Sequence, residues 1–152
     1  MHIAVAIPCY KVTQHVLGVI AAIGPEVSVI YAVDDACPEG SGRFIEQHNQ
    51  DPRVRVLYHP ENRGVGGAVL TAYQAALADG IDVVVKVDGD GQMDPRLIPR
   101  FVAPIRQGRA DYTKGNRFFR PDSLQRMPKV RLLGNAALSF ITRWRGVTAS
   151  EL

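Results

Sequence analysis

The chain has 152 residues, of which 46% are hydrophobic and 22% are charged, and its formal net charge at pH 7 is +3. This composition is ordinary for a globular domain, so it excludes the intrinsically disordered and collagen-like classes. No apolar stretch approaches the roughly 20 residues that a membrane-spanning helix needs. The apolar run at residues 3–7 is too short for a signal peptide and lacks a preceding basic region. We therefore expect one domain over residues 1–152, located in the cytoplasm.

Short runs rich in β-branched residues alternate along the chain with stretches of helix-like apolar spacing. The predicted elements in chain order are strand 2–7, helix 15–23, strand 27–33, helix 43–49, strand 54–58, helix 66–78, strand 83–87, helix 97–106, strand 110–116 and helix 130–144. We expect Pro8 to stop the first strand. The alternation predicts an α/β, Rossmann-like domain with a mostly parallel central sheet and helices on both faces.

The two cysteines, Cys9 and Cys37, match neither a zinc-binding spacing nor a Cys-x-x-Cys redox motif. We expect both to be reduced thiols, and a disulfide between them is the alternative. The four histidines show no metal-binding spacing and no nucleophile partner, which predicts structural or surface roles for them.

Basic residues concentrate in the last third of the chain. Ten of the 18 Lys and Arg residues lie after residue 100, but only three of the 15 acidic residues do. This distribution indicates an anionic partner, and charge alone leaves nucleic acid, a membrane surface and a phosphorylated substrate open. Within this region Arg117 and Arg131 could bind phosphate through their planar guanidinium groups, and an exposed basic face is the alternative.

An Asp-Gly-Asp-Gly-Gln cluster at residues 88–92 directly follows predicted strand 83–87. Ligands of open α/β sheets bind beyond the C-terminal ends of the strands, where carboxylates must meet water, a cation or a partner. If the stretch is extended, Asp88, Asp90 and Gln92 point to one side and offer three oxygen ligands to Mg²⁺ or Mn²⁺. The alternative is a solvated turn whose acids only confer solubility.

The same segment begins like an EF-hand calcium loop, but two positions exclude that reading. Met93 stands where the loop needs Gly, and Pro99 stands where it needs a bidentate Glu. Asp94 is better placed to cap the helix that begins near Pro95 than to bind a metal. Lys86 is unusual inside an apolar strand, so we expect it to pair with a nearby acid.

Residues 62–68, Asn-Arg-Gly-Val-Gly-Gly-Ala, are rich in glycine but lack the dinucleotide-binding fingerprint, because Val69 occupies the third glycine position counted from Gly64. The chain has no Walker A sequence either. The backbone amides of Gly66 and Gly67 would still begin a helix whose positive end faces an anion. Packing alone is the alternative reason for these glycines.

Two other segments stand at predicted strand ends. Asp34 and Asp35 could accept hydrogen bonds from a base or a ribose, and Tyr10, which follows Pro8 and Cys9, could stack on a base. Each segment is also explained by an ordinary loop. Because Asp34 and Asp35 follow one predicted strand and Asp88 and Asp90 follow another, the two acid pairs could converge on one crevice.

Together these segments resemble the family 2 glycosyltransferases of the GT-A fold. The matching segments are residues 7–10, 33–35, 38–40, 62–68 and 87–92. The Asp-x-Asp-x-Gln form, followed by Asp-Pro and by Gly-Asn-Arg-Phe at 115–118, is most similar to the dolichyl- or polyprenyl-phosphate glycosyltransferase branch. The likeness covers nearly the whole chain in order and spacing.

The resemblance implies roles for individual residues. Those implied to bind the nucleotide sugar are Pro8, Tyr10, Asp34, Asp35, Arg63, Gly67, Asp88 and Gly89. Asp88, Asp90 and Gln92 would hold Mg²⁺ or Mn²⁺ on the diphosphate of the donor, with Asp90 as the catalytic residue. Arg117 and Arg131 would receive the phosphate of a lipid acceptor.

The implied activity is metal-dependent, inverting transfer of a sugar from a UDP- or GDP-linked donor. The acceptor would be a polyprenyl phosphate at the inner face of the membrane or a cell-envelope glycan. Nucleic acid is not an implied partner, and the sequence indicates no oligomeric state. Members of the family normally continue into an acceptor-side region, so we expect the chain to be truncated at its C-terminus. The alternatives are a nucleotidyltransferase and a non-catalytic nucleotide-sugar-binding fragment.

Overall fold

The β-branched runs form one four-stranded sheet, which the computed structural model describes within residues 1–115. The elements in chain order are β1 (Ile3–Cys9), α1 (Val16–Ala21), β2 (Val29–Asp34), α2 (Ser41–His48), β3 (Val54–Tyr58), α3 (Gly64–Ala78), β4 (Val83–Lys86), a 3₁₀ turn (Pro95–Leu97) and α4 (Ile98–Arg106). The strand order is β3-β2-β1-β4, and every neighbouring pair is parallel. The predicted α/β class is confirmed, and element boundaries differ from prediction by no more than two residues up to α4.

Helices cover both faces of the sheet because side chains alternate along β1. Ile3, Val5 and Ile7 point to the face that carries α1, α2 and α4, where most of the core lies. Ala4 and Ala6 point to the other face, against α3. The residues of α3 that pack there are four apart and equally small, and they are Ala68, Ala72 and Ala76. Small side chains on both surfaces let α3 approach the sheet closely.

β1 continues through Pro8 to Cys9, so the prediction that proline stops this strand is wrong. Alternate residues of β1 direct their backbone groups to opposite neighbours. The Ala6 carbonyl accepts a hydrogen bond from the β4 side, and the Cys9 carbonyl accepts one from the β2 side. Pro8 is in phase with Ala6, and β4 has already ended at Lys86, the partner of Ala6. The missing N–H of proline therefore breaks no ladder hydrogen bond.

The predicted strand at 110–116 is wrong over residues 110–115, which adopt no regular structure. The Thr113 hydroxyl instead donates to the Phe101 carbonyl at 2.9 Å, which fastens the segment to α4. A strand needs a hydrogen-bonded neighbour, and a local β-rich pattern cannot supply one. Residue 116 and the predicted helix 130–144 lie outside the described residues.

Met1–Thr113 form one compact unit, and a single domain over 1–152 stays a prediction. Among residues 1–115, no helix combines the length and the apolar character needed to cross a membrane.

Candidate functional site

All four strands run in the same direction, so the segments that follow them gather at one edge of the sheet. Cys9 pairs with Asp34 at the end of β2, and Ala6 pairs with Lys86 at the end of β4. The end of β1 therefore lies between the two acid pairs that the sequence predicted to converge. Pro8 is half-buried in this strand end, and Tyr10, just beyond it, is 44% exposed.

The Asp34 carboxylate is buried and organises the loop that leads into α2. Its two oxygens accept the backbone N–H groups of Cys37 at 2.7 Å and of Gly42 at 2.6 Å. A Cβ at Gly42 would lie 2.9 Å from the Asp34 Cβ, so only glycine allows this close approach. Asp34 thus anchors the start of α2, and its predicted contact with a base or ribose stays a prediction.

The Asp35 carboxylate is also buried and joins three segments. It accepts hydrogen bonds from the His59 imidazole at 2.7 Å and from the Arg63 N–H at 2.8 Å. The other ring nitrogen of His59 lies 2.8 Å from the Thr71 hydroxyl of α3. Burial raises the pKa of Asp35, but the hydrogen bonds from Arg63, His59 and Gly64 outweigh burial and bring this pKa below its ordinary value. The Arg63 N–H and the series Asp35–His59–Thr71 therefore hold the start and the middle of α3 against the end of β2.

The glycine-rich segment is the first turn of α3 itself, which begins at Gly64 rather than at the predicted residue 66. The N-cap residue Arg63 makes no side-chain capping hydrogen bond, but the Asn62 side chain accepts the Gly64 N–H at 3.0 Å. The positive end of the helix dipole lies at this strand edge. Gly64 has φ +74°, and a Cβ at Gly67 would lie 2.5 Å from the Arg63 Cβ. Gly67 thus lets the exposed Arg63 fold against the start of α3. Both residues lie at the helix start, as the sequence predicted.

The Asp-Gly-Asp-Gly-Gln segment is a compact turn, so the expectation of an extended stretch is wrong beyond Asp88. Gly91 has φ +77°, and the Gln92 N–H donates to the Asp90 carboxylate at 3.0 Å. These contacts curl the chain back on itself, since Asp side chains stabilise turns in this way. A Cβ at Gly89 would lie 3.3 Å from methyl groups of Ile7 and Val12. The absence of a side chain at Gly89 therefore keeps the turn close to β1.

Lys86 pairs with an acid, as predicted, through a distance of 2.5 Å between its Nζ and the Asp88 Oδ1. Asp94 caps the 3₁₀ turn by accepting the Arg96 N–H at 3.1 Å, which confirms its predicted structural role. Asp88 is partly exposed, and Asp90 and Asp94 are exposed, but Asp94 is paired with the Arg96 guanidinium. Of the acids in residues 88–94, Asp90 is thus the one most open to a ligand.

The oxygens of Asp88 and Asp90 fit a divalent ion that is shared with a substrate. Mg²⁺ is commonly bound by one or two carboxylates together with substrate phosphates, and it keeps several waters. Over residues 1–115, no group of three or more His, Cys, Asp or Glu side chains is gathered where it could hold a metal ion. Asp88 and Asp90 are thus the kind of donors that a divalent ion shared with substrate phosphates would use. The participation of Gln92 stays a prediction.

Sequence reasoning missed two features of this edge. His59 has a structural role, as predicted, but its position as the buried link between Asp35 and Thr71 was missed. Its position directly after a strand end was the available signal. Cys37 was treated only as a thiol, although its sulfur accepts the Lys11 N–H. Arg117 and Arg131 lie outside the described residues, so their predicted contact with a lipid phosphate is untested.

Comparison with known proteins identifies the class. The parallel sheet with helices on both faces is of the GT-A type, as expected. The family model described as glycosyl transferase family 2 matches residues 4–149. The chain belongs to glycosyl transferase family 2, which confirms the resemblance and replaces the nucleotidyltransferase alternative.

Curated relatives of this chain act on lipid phosphates according to their names. An undecaprenyl-phosphate mannosyltransferase of Micrococcus luteus is 34% identical over 121 residues, which are 77% of this chain and 49% of the relative. A UDP-N-acetylglucosamine–dolichyl-phosphate N-acetylglucosaminyltransferase of Methanococcus voltae is 38% identical over 90 residues, which are 59% of this chain and 36% of the relative. The chain thus spans half or less of the length of these relatives.

A solved structure shares the fold. The crystal structure of S. aureus TarS 1–349 in complex with UDP-GlcNAc matches with a TM-score of 0.56 at 20% sequence identity. The match covers 70% of this chain and 32% of the TarS chain. At this identity the likeness shows a common architecture.

We expect an alkylating reagent to distinguish the two free thiols. Burial raises the pKa of Cys37, but hydrogen bonds from the Ser41 hydroxyl and the Lys11 N–H bring it below its ordinary value. Burial, followed by the charge of Asp34, raises the pKa of Cys9 to about 12. Iodoacetamide should therefore label Cys37 at a lower pH than an ordinary thiol and should label Cys9 only after unfolding. Peptide mass spectrometry measures both, and equal labelling of the folded protein would contradict the assignment.

Removing the imidazole of His59 should destabilise the fold. His59→Phe removes the imidazole donor from the buried Asp35 carboxylate, which keeps the Arg63 N–H, so we expect the free energy of unfolding to fall by about 2 kcal/mol. Thr71→Val is the matched control, because it removes one hydrogen bond and keeps the shape, at a cost of about 1 kcal/mol. Urea unfolding measures both. Equal losses in the two variants would show that His59 is not the main link.

Proposed function

We propose that this chain is the donor-binding part of a metal-dependent, inverting glycosyltransferase that takes a sugar from a UDP- or GDP-linked donor. The observation that carries the proposal is the placement of Asp88 and Asp90 after β4, beside the end of β1, in a family 2 chain. The acceptor is a polyprenyl phosphate at the inner face of the membrane, or otherwise a cell-envelope glycan. The names of the relatives from Micrococcus luteus and Methanococcus voltae support the lipid phosphate.

The donor would lie across the end of β1. Tyr10, exposed beyond Pro8, offers a ring for the base to stack on. Asp34, the last residue of β2, and Asp35, which follows it, are the proposed acceptors on the base and ribose side. Both carboxylates are buried and already accept protein N–H groups, so their remaining lone pairs would take the base or the ribose. The first turn of α3, with the exposed Arg63 beside it, lies next to Asp35 at the end of β2 and would flank the nucleotide on that side. The base would thus lie toward β2 and the diphosphate toward β4.

Asp88 and Asp90, with Gln92, would hold Mg²⁺ or Mn²⁺ on the diphosphate. When bound, the ion supplies positive charge that stabilises the negative charge developing on the departing diphosphate. Asp90 would act as the catalytic residue by helping to hold the ion whose charge stabilises the leaving diphosphate, and Gly89 keeps its turn against β1. Lys86, paired with Asp88, holds that carboxylate in place beside the donor.

Transfer would proceed by one displacement at the anomeric carbon. An oxygen of the acceptor attacks this carbon from the face opposite the donor diphosphate, the new C–O bond forms, and the diphosphate leaves with the electron pair of the bond that breaks. A phosphate acceptor is already ionised near neutral pH, so it needs no strong general base. Arg117 and Arg131 are proposed to hold this phosphate, since guanidinium groups bind phosphate oxygens in pairs.

A non-catalytic role as a nucleotide-sugar-binding fragment is the second candidate. The described residues include those proposed for the donor, Asp88 and Asp90 among them, which is all that such a role requires. Sugar transfer measured beside nucleotide affinity separates the two candidates, because the fragment would bind the donor and transfer nothing.

Calorimetric titration tests the metal site. UDP and GDP are titrated in turn, each with and without Mn²⁺, into the wild type and into Asp90→Ala. We expect one of the two nucleotides to bind at least about tenfold more tightly with Mn²⁺, and Asp90→Ala to abolish most of that gain. Asp111→Ala, which removes another exposed acid, is the matched control and should keep the gain. Nucleotide binding that is independent of Mn²⁺ and unchanged by Asp90→Ala would contradict the metal-site proposal.

A further inference from the structure

The turn that carries Tyr10 has an unusual backbone. Lys11, the residue after it, has φ +56°, a left-handed conformation that a residue with a Cβ adopts rarely. The Lys11 amine lies 5.7 Å from the centre of the Tyr10 ring. Such a conformation persists only where the surrounding structure holds it. Groups outside the turn must therefore hold the backbone of residues 10–12.

Two side chains from the β2–α2 segment hold this turn, and we name Cys37 and Ser41 the thiol–hydroxyl clamp. The Lys11 N–H donates to the Cys37 sulfur at 3.1 Å, and the Val12 N–H donates to the Ser41 hydroxyl oxygen at 3.3 Å. The sulfur and the hydroxyl oxygen are themselves 3.1 Å apart. The clamp thus accepts the N–H groups of the left-handed residue and of the residue that follows it.

The clamp is fixed to the sheet through Asp34. This carboxylate accepts the N–H of Cys37 itself and the N–H of Gly42, which directly follows Ser41. Asp34 is also the last residue of β2, which pairs with β1 up to Cys9. An unbroken series of contacts therefore runs from β2 through the clamp to the turn after β1.

We propose that Cys37 is a positioning residue for the donor base: with Ser41 it sets the backbone of residues 10–12 and so presents the Tyr10 ring. This inference rests on the proposed function, because it assumes that Tyr10 contacts the base of a nucleoside diphosphate. Cys37 acts through Lys11 and touches no substrate itself. Neither hydrophobic cluster of the core contains Cys37. Its loss should therefore alter the turn and leave the fold in place.

Two substitutions of Cys37 separate a positioning role from a structural one. Cys37→Ala removes the acceptor for the Lys11 N–H, whereas Cys37→Ser supplies another acceptor at nearly the same place. If the turn of Cys37→Ala is competent in about one molecule in ten, its affinity for the nucleotide falls about tenfold. We expect Cys37→Ser to restore most of this affinity, and both variants to unfold at the wild-type midpoint.

Binding of two probes, UDP (or GDP, whichever the wild type prefers) and inorganic diphosphate, each with Mn²⁺, shows which part of the donor is affected. Calorimetry should show that Cys37→Ala lowers the affinity for the nucleotide and leaves the affinity for inorganic diphosphate unchanged, because diphosphate does not reach the base side. An equal loss of affinity for both probes, or no loss of affinity for the nucleotide, would overturn the inference while leaving the proposed function intact. Failure of the wild type to bind either nucleotide would overturn both.

A double-mutant cycle with Tyr10 tests the route of the effect. If Cys37 acts by presenting the ring, Cys37→Ala should cost no further nucleotide affinity once Tyr10→Ala has removed that ring. Additive losses would show that Cys37 does not act through Tyr10 and would refute the assignment. Because this comparison is made between folded variants with the same probe, a general loss of stability cannot mimic the expected result.

Discussion

Parallel pairing of β1 between β2 and β4 is the constraint on which the rest of the structure depends. β1 is buried on both faces, so its odd-numbered and even-numbered residues must each be covered, and helices are therefore needed on both sides of the sheet. Parallel direction also brings every strand end to one edge. Acids that are far apart in sequence, such as Asp35 and Asp88, consequently flank the same strand end.

At this edge, buried polar groups hold the loops and the starts of the helices against the ends of the strands. Asp34 holds the start of α2, and Asp35 holds the start of α3 through His59 and Arg63. A buried carboxylate without donors would destabilise the fold, so each loop must supply N–H groups in the right place. The same requirement fixes the backbone around the proposed donor site before any ligand binds, which lowers the cost of binding.

The structural features that the sequence predicts well are those with a local cause. Strand 54–58 has the predicted bounds. The capping role of Asp94 follows from its place before Pro95. The errors have non-local causes: Pro8 is tolerated because a neighbouring strand has ended, and residues 110–115 lack a strand partner. The role of His59 depends on Asp35 and Thr71, which lie 24 and 12 residues away, and no local pattern encodes such contacts.

The proposed site would be tested most directly by the position of Mn²⁺ in the nucleotide complex. Paramagnetic broadening of backbone amide signals by Mn²⁺, recorded with UDP or GDP bound, reports which residues lie near the ion. We predict that the signals of Gly89, Asp90 and Gly91 broaden most and that those of Asp82 and Val83, at the opposite end of the short strand β4, broaden much less. Broadening centred anywhere other than the turn after β4 would contradict this prediction.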